Sequence, residues 1–321
     1  MSVTPQVQYF SSAVLFGGTF TSTGTTADGL PMGTLGGSPA VYPAMPGMNF
    51  GLPKNFIIPP ILGNYAQFNY TEGFQQPTMD VQMVPRDVAS EVFGSTFLNY
   101  FLTRSGTAAY DTSAISGGIT FWNGYEGYQF LGAKADSFTV SCQKGQSPIQ
   151  FSTRWLGTTV NYITGWTSGY TGPAAWALQN LLGFANVNAT DTTGTPILPS
   201  QIWQFAISFA NNHTPDMSLN NSVFPAAQNA GMPTAGMQFR TQVALGNVPD
   251  NNPTQFTGGS PNAPVTVSIV VTGTNQSRTF TLNNPIDQAR NNRSVPATRV
   301  FRDHTYTSLA ATSTGMPLTI S

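Results

Sequence analysis

Between residues 130 and 160 the chain alternates apolar and polar positions twice, on either side of a polar turn. Phe138, Val140 and Cys142 fall to one side, with Ser137, Thr139 and Ser141 to the other. After the turn, Ile149, Phe151 and Trp155 alternate with Gln150, Ser152 and Arg154. Successive side chains leave opposite faces of a pleated strand, so this pattern predicts an antiparallel hairpin with one apolar and one small-polar face. Residues 143–148 supply the turn, with Gly145 suited to positive φ and Pro148 to a strand start.

The same period recurs elsewhere. Met79, Val81 and Met83 alternate with polar residues, as do Trp203, Phe205, Ile207 and Phe209 with Gln204, Ala206 and Ser208. Val265, Val267, Ile269 and Val271 share one face, and residues 278–282 and 300–307 read as further strands. Two stretches carry a helical signature instead. Pro85 opens residues 86–104, where Val88, Val92, Phe93, Phe97, Tyr100 and Phe101 form an apolar stripe. Residues 173–183 begin with Pro and end with Gly. The chain is therefore expected to be mainly β, with a flanking helix and a second short one.

Residues 1–52 have no sustained period and a single charge, Asp28. Phe10, Phe16, Phe20, Tyr42, Met45, Met48 and Phe50 make them too apolar for a free disordered tail. An arm docking on a neighbouring molecule fits this composition, and so does an edge strand with a long turn. The phrase Gln150-Phe151-Ser152-Thr153, followed by Leu156-Gly157 and Val160, is echoed by Gln238-Phe239-Arg240-Thr241, Leu245-Gly246 and Val248. Such an echo is what an internal duplication leaves, and also what a Gly- and Thr-rich chain yields by chance.

At 321 residues the chain can bury one large or two medium cores. Only 8% of residues are charged, although 40% are hydrophobic and 12% aromatic. A lone soluble molecule normally relies on about 25% charge. A surface of Ser, Thr, Asn and Gln answers this, and so does a surface that is covered by identical neighbours, where charge would be costly to desolvate. A net charge of −1 with scattered basic residues argues against a surface that grips nucleic acid. The loosest exception is the group Arg290, Arg293, Arg299 and Arg302. Cys142 stands alone, so no disulfide forms within the chain, and its place on the apolar face is that of a small buried hydrophobe. No apolar run nears the roughly 18 residues of a membrane span, and the first residues lack an export signal's pattern. Synthesis in a cytoplasm is the expectation.

Catalytic constellations are missing. His213 and His304 are the two histidines, no G-x-S-x-G occurs, and the carboxylates stand one by one without metal-ligand spacing. Glu126 and Asp136 could in principle meet across strands like a glycosidase pair, but two solvated loop carboxylates are the far commoner outcome. No phosphate-cradling glycine loop joins a strand to a helix. The reading is a protein that is not an enzyme and needs no cofactor or metal.

The order of these pieces carries a resemblance. Gly132-Ala133-Lys134-Ala135-Asp136-Ser137-Phe138, the turn at Gly145 and a return strand ending at Leu156-Gly157 resemble the hairpin of siphovirus-type phage tail tube proteins, also called major tail proteins. Residues 116–122 with Gly124, Tyr125 and Gly127 resemble the strand and turn that precede it. The likeness covers residues 77–160; beyond them only composition and strand rhythm agree. It implies two tandem tube-like β-sandwich or barrel halves, 1–165 (with the arm 1–52) and 166–321. It also implies self-assembly into stacked rings, trimeric and pseudo-hexameric, that form a hollow tube in the virion, with long inter-ring arms or loops, here residues 1–52 and 210–236, bridging from ring to ring. Implied partners are copies of itself, a tape measure protein, tail terminator and tip proteins, and double-stranded DNA passing without specific contact. The small-polar hairpin face would then line the lumen: Ser137, Thr139, Ser141, Gln150, Ser152 and Arg154, joined by Gln204 and Ser208. Arg154 is the discordant member and is expected to pair with a carboxylate. A capsid decoration or tail-tip protein shares these features, and a secreted carbohydrate-binding sandwich would require flat, exposed Trp or Tyr.

Overall fold

The computed structural model describes residues 13–43, 49–51, 56–57, 71–72, 75–83, 117–123, 126–143, 149–166, 186–190, 196–197, 202–216, 224–229, 231–243, 266–272, 277–283, 285–295, 299–309 and 316–320. The two expected helices, the turn at 144–148, Phe10, Met45 and Met48 lie outside them. What is described is mainly β, arranged in several sheets.

The largest sheet has eight strands. From one edge they are β22 (Ile286–Val295), β23 (Arg299–Leu309), β19 (Thr234–Val243) and β16 (Ile202–Ala210). Next come β11 (Lys134–Gln143), β12 (Gln150–Leu156), β8 (Thr78–Met83) and β5 (Asn49–Gly51). All neighbours in it are antiparallel.

A seven-stranded sheet follows the order β2 (Thr19–Thr25), β3 (Pro31–Gly36), β13 (Thr159–Trp166), β10 (Gly127–Leu131), β9 (Ile119–Trp122), β1 (Ala13–Phe16) and β4 (Ala40–Pro43). A five-stranded sheet follows β15 (Pro196–Ile197), β14 (Asn186–Thr190), β20 (Thr266–Thr272), β21 (Ser277–Asn283) and β24 (Leu318–Ile320). Two small ribbons pair β6 (Phe56–Ile57) with β7 (Thr71–Glu72), and β17 (Thr214–Asp216) with β18 (Ala227–Asn229).

These orders contain a repeat. Set the β2–β3 hairpin aside, and the eleven other strands up to β13 match the eleven from β14 to β24 one for one along the chain. In the seven-stranded sheet the order β13-β10-β9-β1-β4 matches β24-β21-β20-β14-β15 of the five-stranded one. In the large sheet β11-β12-β8-β5 matches β22-β23-β19-β16. The β6–β7 ribbon between β5 and β8 corresponds to β17–β18 between β16 and β19. Corresponding pairs are all antiparallel. Even a local irregularity recurs: β11 and β22 are both ten residues long, and each bulges at its third residue, between Ala135 and Ser137 and between Asp287 and Ala289. The chain passes from one set of strands to the other between Trp166 and Asn186.

One apolar cluster joins the layers. Val14, Phe16, Phe130 and Val160 of the seven-stranded sheet, Phe138, Phe151 and Trp155 of the large sheet, and Ile269 and Phe280 of the five-stranded sheet are all buried in it. Phe16 meets Trp155 edge to face at 5.3 Å, and Phe138 stacks between Phe151 and Phe209 at 5.6 Å from each. Ala13–Phe16 is an unbroken apolar run because both of its faces are covered; Ala13 and Leu15 point to a second cluster with Leu35, Trp122 and Ile163. Gly118 illustrates the tightness of the joint. Its φ is +74°, and a Cβ there would lie 2.4 Å from the carbonyl oxygen of Phe130, so no other residue fits without shifting the backbone.

Several expectations are corrected here. Residues 13–43 form strands of a sheet: Phe16 and Tyr42 sit buried in the chain's own core 5.1 Å apart, so neither is free for a neighbouring molecule, while Phe20 in β2 is half-buried against the second cluster. Phe50 lies in β5, a strand of the large sheet. Residues 210–236 are not one open loop, because β17–β18 folds within them. A bulge between Ile202 and Gln204 breaks the expected alternation at Trp203, which is half-buried with its ring edge-on to Phe301 at 5.2 Å. The Gln-Phe echo falls on β12 and β19, which are not counterparts: β12 corresponds to β23, and β19 to β8.

Candidate functional site

The register of the large sheet places all eight small-polar candidates on one continuous face. Thr139 is opposite Ser152 on one side and Ser208 on the other, Ser141 is opposite Gln150, Ser137 opposite Arg154, and Gln143 opposite Gln204. Residues opposite one another share a face. A single row therefore crosses seven strands as Ile286, Thr307, Gly236, Ser208, Thr139, Ser152 and Gln82. The opposite face carries Met79, Val81, Phe138, Val140, Phe151, Phe205, Ile207 and Met237, all buried. Apolar burial on that face fixes the register, since a slip by one residue would exchange the two faces.

Two arginines among the described side chains of the open face are paired. Arg154 lies 4.0 Å from Asp80 on the neighbouring strand, with both side chains about half exposed (50% and 53%). Arg240 makes a two-pronged contact with Asp303, donating from Nε at 2.6 Å and from Nη2 at 3.1 Å. These bonds raise the Arg240 pKa above its ordinary value. Each pair joins the β8/β12 couple or its counterpart β19/β23, so both halves of the sheet neutralise their guanidinium in the same pair of strands. Exposed ion pairs of this kind add little to stability, and an arginine held beside a carboxylate presents less net charge to a polyanion than a free one.

Sequence reasoning missed the residues at the junction of the two strand sets, where β11 pairs with β16. At the β11 bulge, Asn211 donates its backbone N–H to the carbonyl oxygen of Asp136 at 2.7 Å and its side-chain amide to that of Ala135 at 2.9 Å. The Asp136 carboxylate accepts the backbone N–H of His213 at 3.0 Å, with His213 Nδ1 3.3 Å from the same oxygen. Lys134 Nζ donates to the carbonyl of Gln228 at 3.1 Å, and Gln228 Nε2 donates to the carbonyl of Gly157 at 3.1 Å. The β17–β18 ribbon of the second set is thus hooked over β11 of the first. The one available signal was Asp136 itself, a carboxylate inserted between Ala135 and Ser137 where the alternation loses step.

Asp136 and Glu126 have separate partners: Glu126 accepts the Tyr162 hydroxyl in the seven-stranded sheet, where burial, Glu126 and Asp28 together raise the Tyr128 pKa. Among the described residues no group of three His, Cys, Asp or Glu is placed to hold a metal ion. Cys142 is buried in the large sheet's apolar face, and burial pushes its thiol up to about 11. A thiol held that high stays almost wholly protonated near pH 8, and the thiol is not the nucleophilic form. Titration with a disulfide reagent should therefore find no reactive thiol in the native protein and one in denaturant; rapid native labelling would contradict the core position of this strand. No protein-family profile and no curated protein matches the sequence.

Proposed function

We propose that this chain is a structural virion protein: a phage tail tube subunit that assembles into stacked rings around a hollow bore through which genomic DNA reaches the host. The observation that carries the reading is the repeated strand order. Two four-stranded units lie side by side in one sheet, facing the same way, with a small-polar face on one side and the core on the other. Units related in this manner continue naturally around a ring, and closing the sheet removes edges that otherwise invite uncontrolled pairing. Three chains would place six units around the bore. The residues proposed to face the lumen are Ser137, Thr139, Ser141, Gln150, Ser152, Arg154, Gln204 and Ser208. Mechanism is then passive conduction: hydroxyls and amides hydrate the wall, Arg154 and Arg240 are compensated by Asp80 and Asp303, and DNA slides without being held.

Ring-to-ring contact falls to the β2–β3 hairpin. Among the described residues it has no counterpart in the second strand set, most of β2 is exposed, and its turn is tied by the Leu30 N–H to the Thr26 hydroxyl at 3.0 Å. Replacing residues 23–31 by a two-residue turn should leave rings intact and stop axial growth, which negative-stain microscopy would read directly. Unmodified protein should give hollow filaments of uniform bore. Closed small oligomers would instead indicate a decoration or tail-tip protein, and a monomer at high concentration would remove the reading altogether. The carbohydrate-binding alternative gains no support from the two strand tryptophans of the large sheet: Trp155 is fully buried, and Trp203 is packed against Phe301.

A further inference from the structure

The internal junction contains its own counterpart. In it, the first strand of the second unit (β16) pairs antiparallel with the third strand of the first unit (β11). By the repeat, the strand corresponding to β16 is β5, and the strand corresponding to β11 is β22. These two are the outer edges of the large sheet. We infer that a second copy of this chain docks on β22 through its own β5, reproducing the β11–β16 junction, and that its β6–β7 ribbon laps over the β22 bulge as β17–β18 laps over that of β11. This rests on the ring reading above and names the surfaces that make the ring.

The register follows from the two matched bulges and the printed pairings. Aligning the bulges sets Ser141 against Arg293 and Thr139 against Asn291. Across the sheet, Asn49, opposite Asp80, corresponds to Ala206, opposite Gln238. Since Ser141 is opposite Ala206, Arg293 of one copy should lie opposite Asn49 of the next. An independent observation points to the same surface. Ile286 occupies the position of Lys134, whose ammonium the ribbon engages at the internal junction, yet Ile286 is 57% exposed, one of two exposed large hydrophobics among the described residues. An edge of ten residues also leaves a long row of backbone donors and acceptors.

The test is a disulfide between copies. Opposed positions hold their Cβ atoms about 4.5–5.5 Å apart, close enough for small backbone adjustments to permit a bond. The double variant Asn49→Cys/Arg293→Cys, oxidised after assembly, should give a ladder of covalently joined chains on a non-reducing gel. Asn49→Cys/Ala289→Cys, displaced by four residues, should stay monomeric on the gel. In the unsubstituted protein, amide exchange along β22 should slow by at least ~10-fold on assembly, and Ile286→Asp should abolish that slowing while leaving the monomer folded. Hollow filaments without a ladder and without β22 protection would overturn the edge assignment and leave the tube reading standing. Absence of any assembly would overturn both, and a ladder only in the displaced variant would replace the register.

Discussion

Replacing Trp155 with alanine should destabilise the chain by about 3–5 kcal/mol, the range found when a large buried aromatic is truncated. Trp155 is fully buried, its ring meets Phe16 of the seven-stranded sheet at 5.3 Å, and its Nε1 donates to Thr153 Oγ1 at 2.9 Å. The variant would lose interlayer contact and that hydrogen bond together. Loss of this size approaches the whole stability of many domains, so much of the protein should be unfolded at 37 °C. Trp155→Phe separates the contributions: it keeps most of the volume and should cost about 1–2 kcal/mol, mainly the hydrogen bond and a small cavity. Denaturant midpoints at unchanged slope would measure both. If Trp155→Ala shifted stability by less than about 1 kcal/mol, the two sheets could not share the core described above.

What could be read in the sequence was whatever obeyed a period of two. β11, β12, β16, β20 and β21 have one apolar and one polar face, and their residues declare it. Elements that escape the period were lost. β1 is apolar on both faces, so it looks like a greasy run and not a strand. β22 reads Ile-Asp-Gln-Ala-Arg-Asn-Asn-Arg-Ser-Val and resembles a basic loop, because an edge strand need not alternate. A repeat was sought in matching letters, whereas the regularity present is one of strand order, which pairing can keep while residue identities change. The candidate face was legible because it depends on alternation alone. The junction at Asp136, His213 and Gln228 was not, because its hydrogen bonds join residues up to 94 positions apart.

If the small-polar face lines the proposed bore, a lysine placed on it should make the wall hold DNA. Ser152→Lys adds one uncompensated cation per chain in the row between Thr139 and Gln82. Asp80 is near enough on the next strand to blunt it, so Ser208→Lys, three strands away from β8, is the stricter variant. Stacked rings multiply the effect, and duplex DNA presents a charge every ~1.7 Å of axis. If on the order of six lysines engage one DNA segment, its affinity should fall at least ~10³-fold between 50 and 200 mM salt, whereas the unsubstituted tube should show almost no salt-dependent retention. Both substitutions lie on the open face and bury nothing, so filament yield should be unchanged, with genome release slowed at low salt and recovering as salt rises. Intact filaments that hold no more DNA than the parent, with release at the normal rate, would mean that this face looks away from the bore.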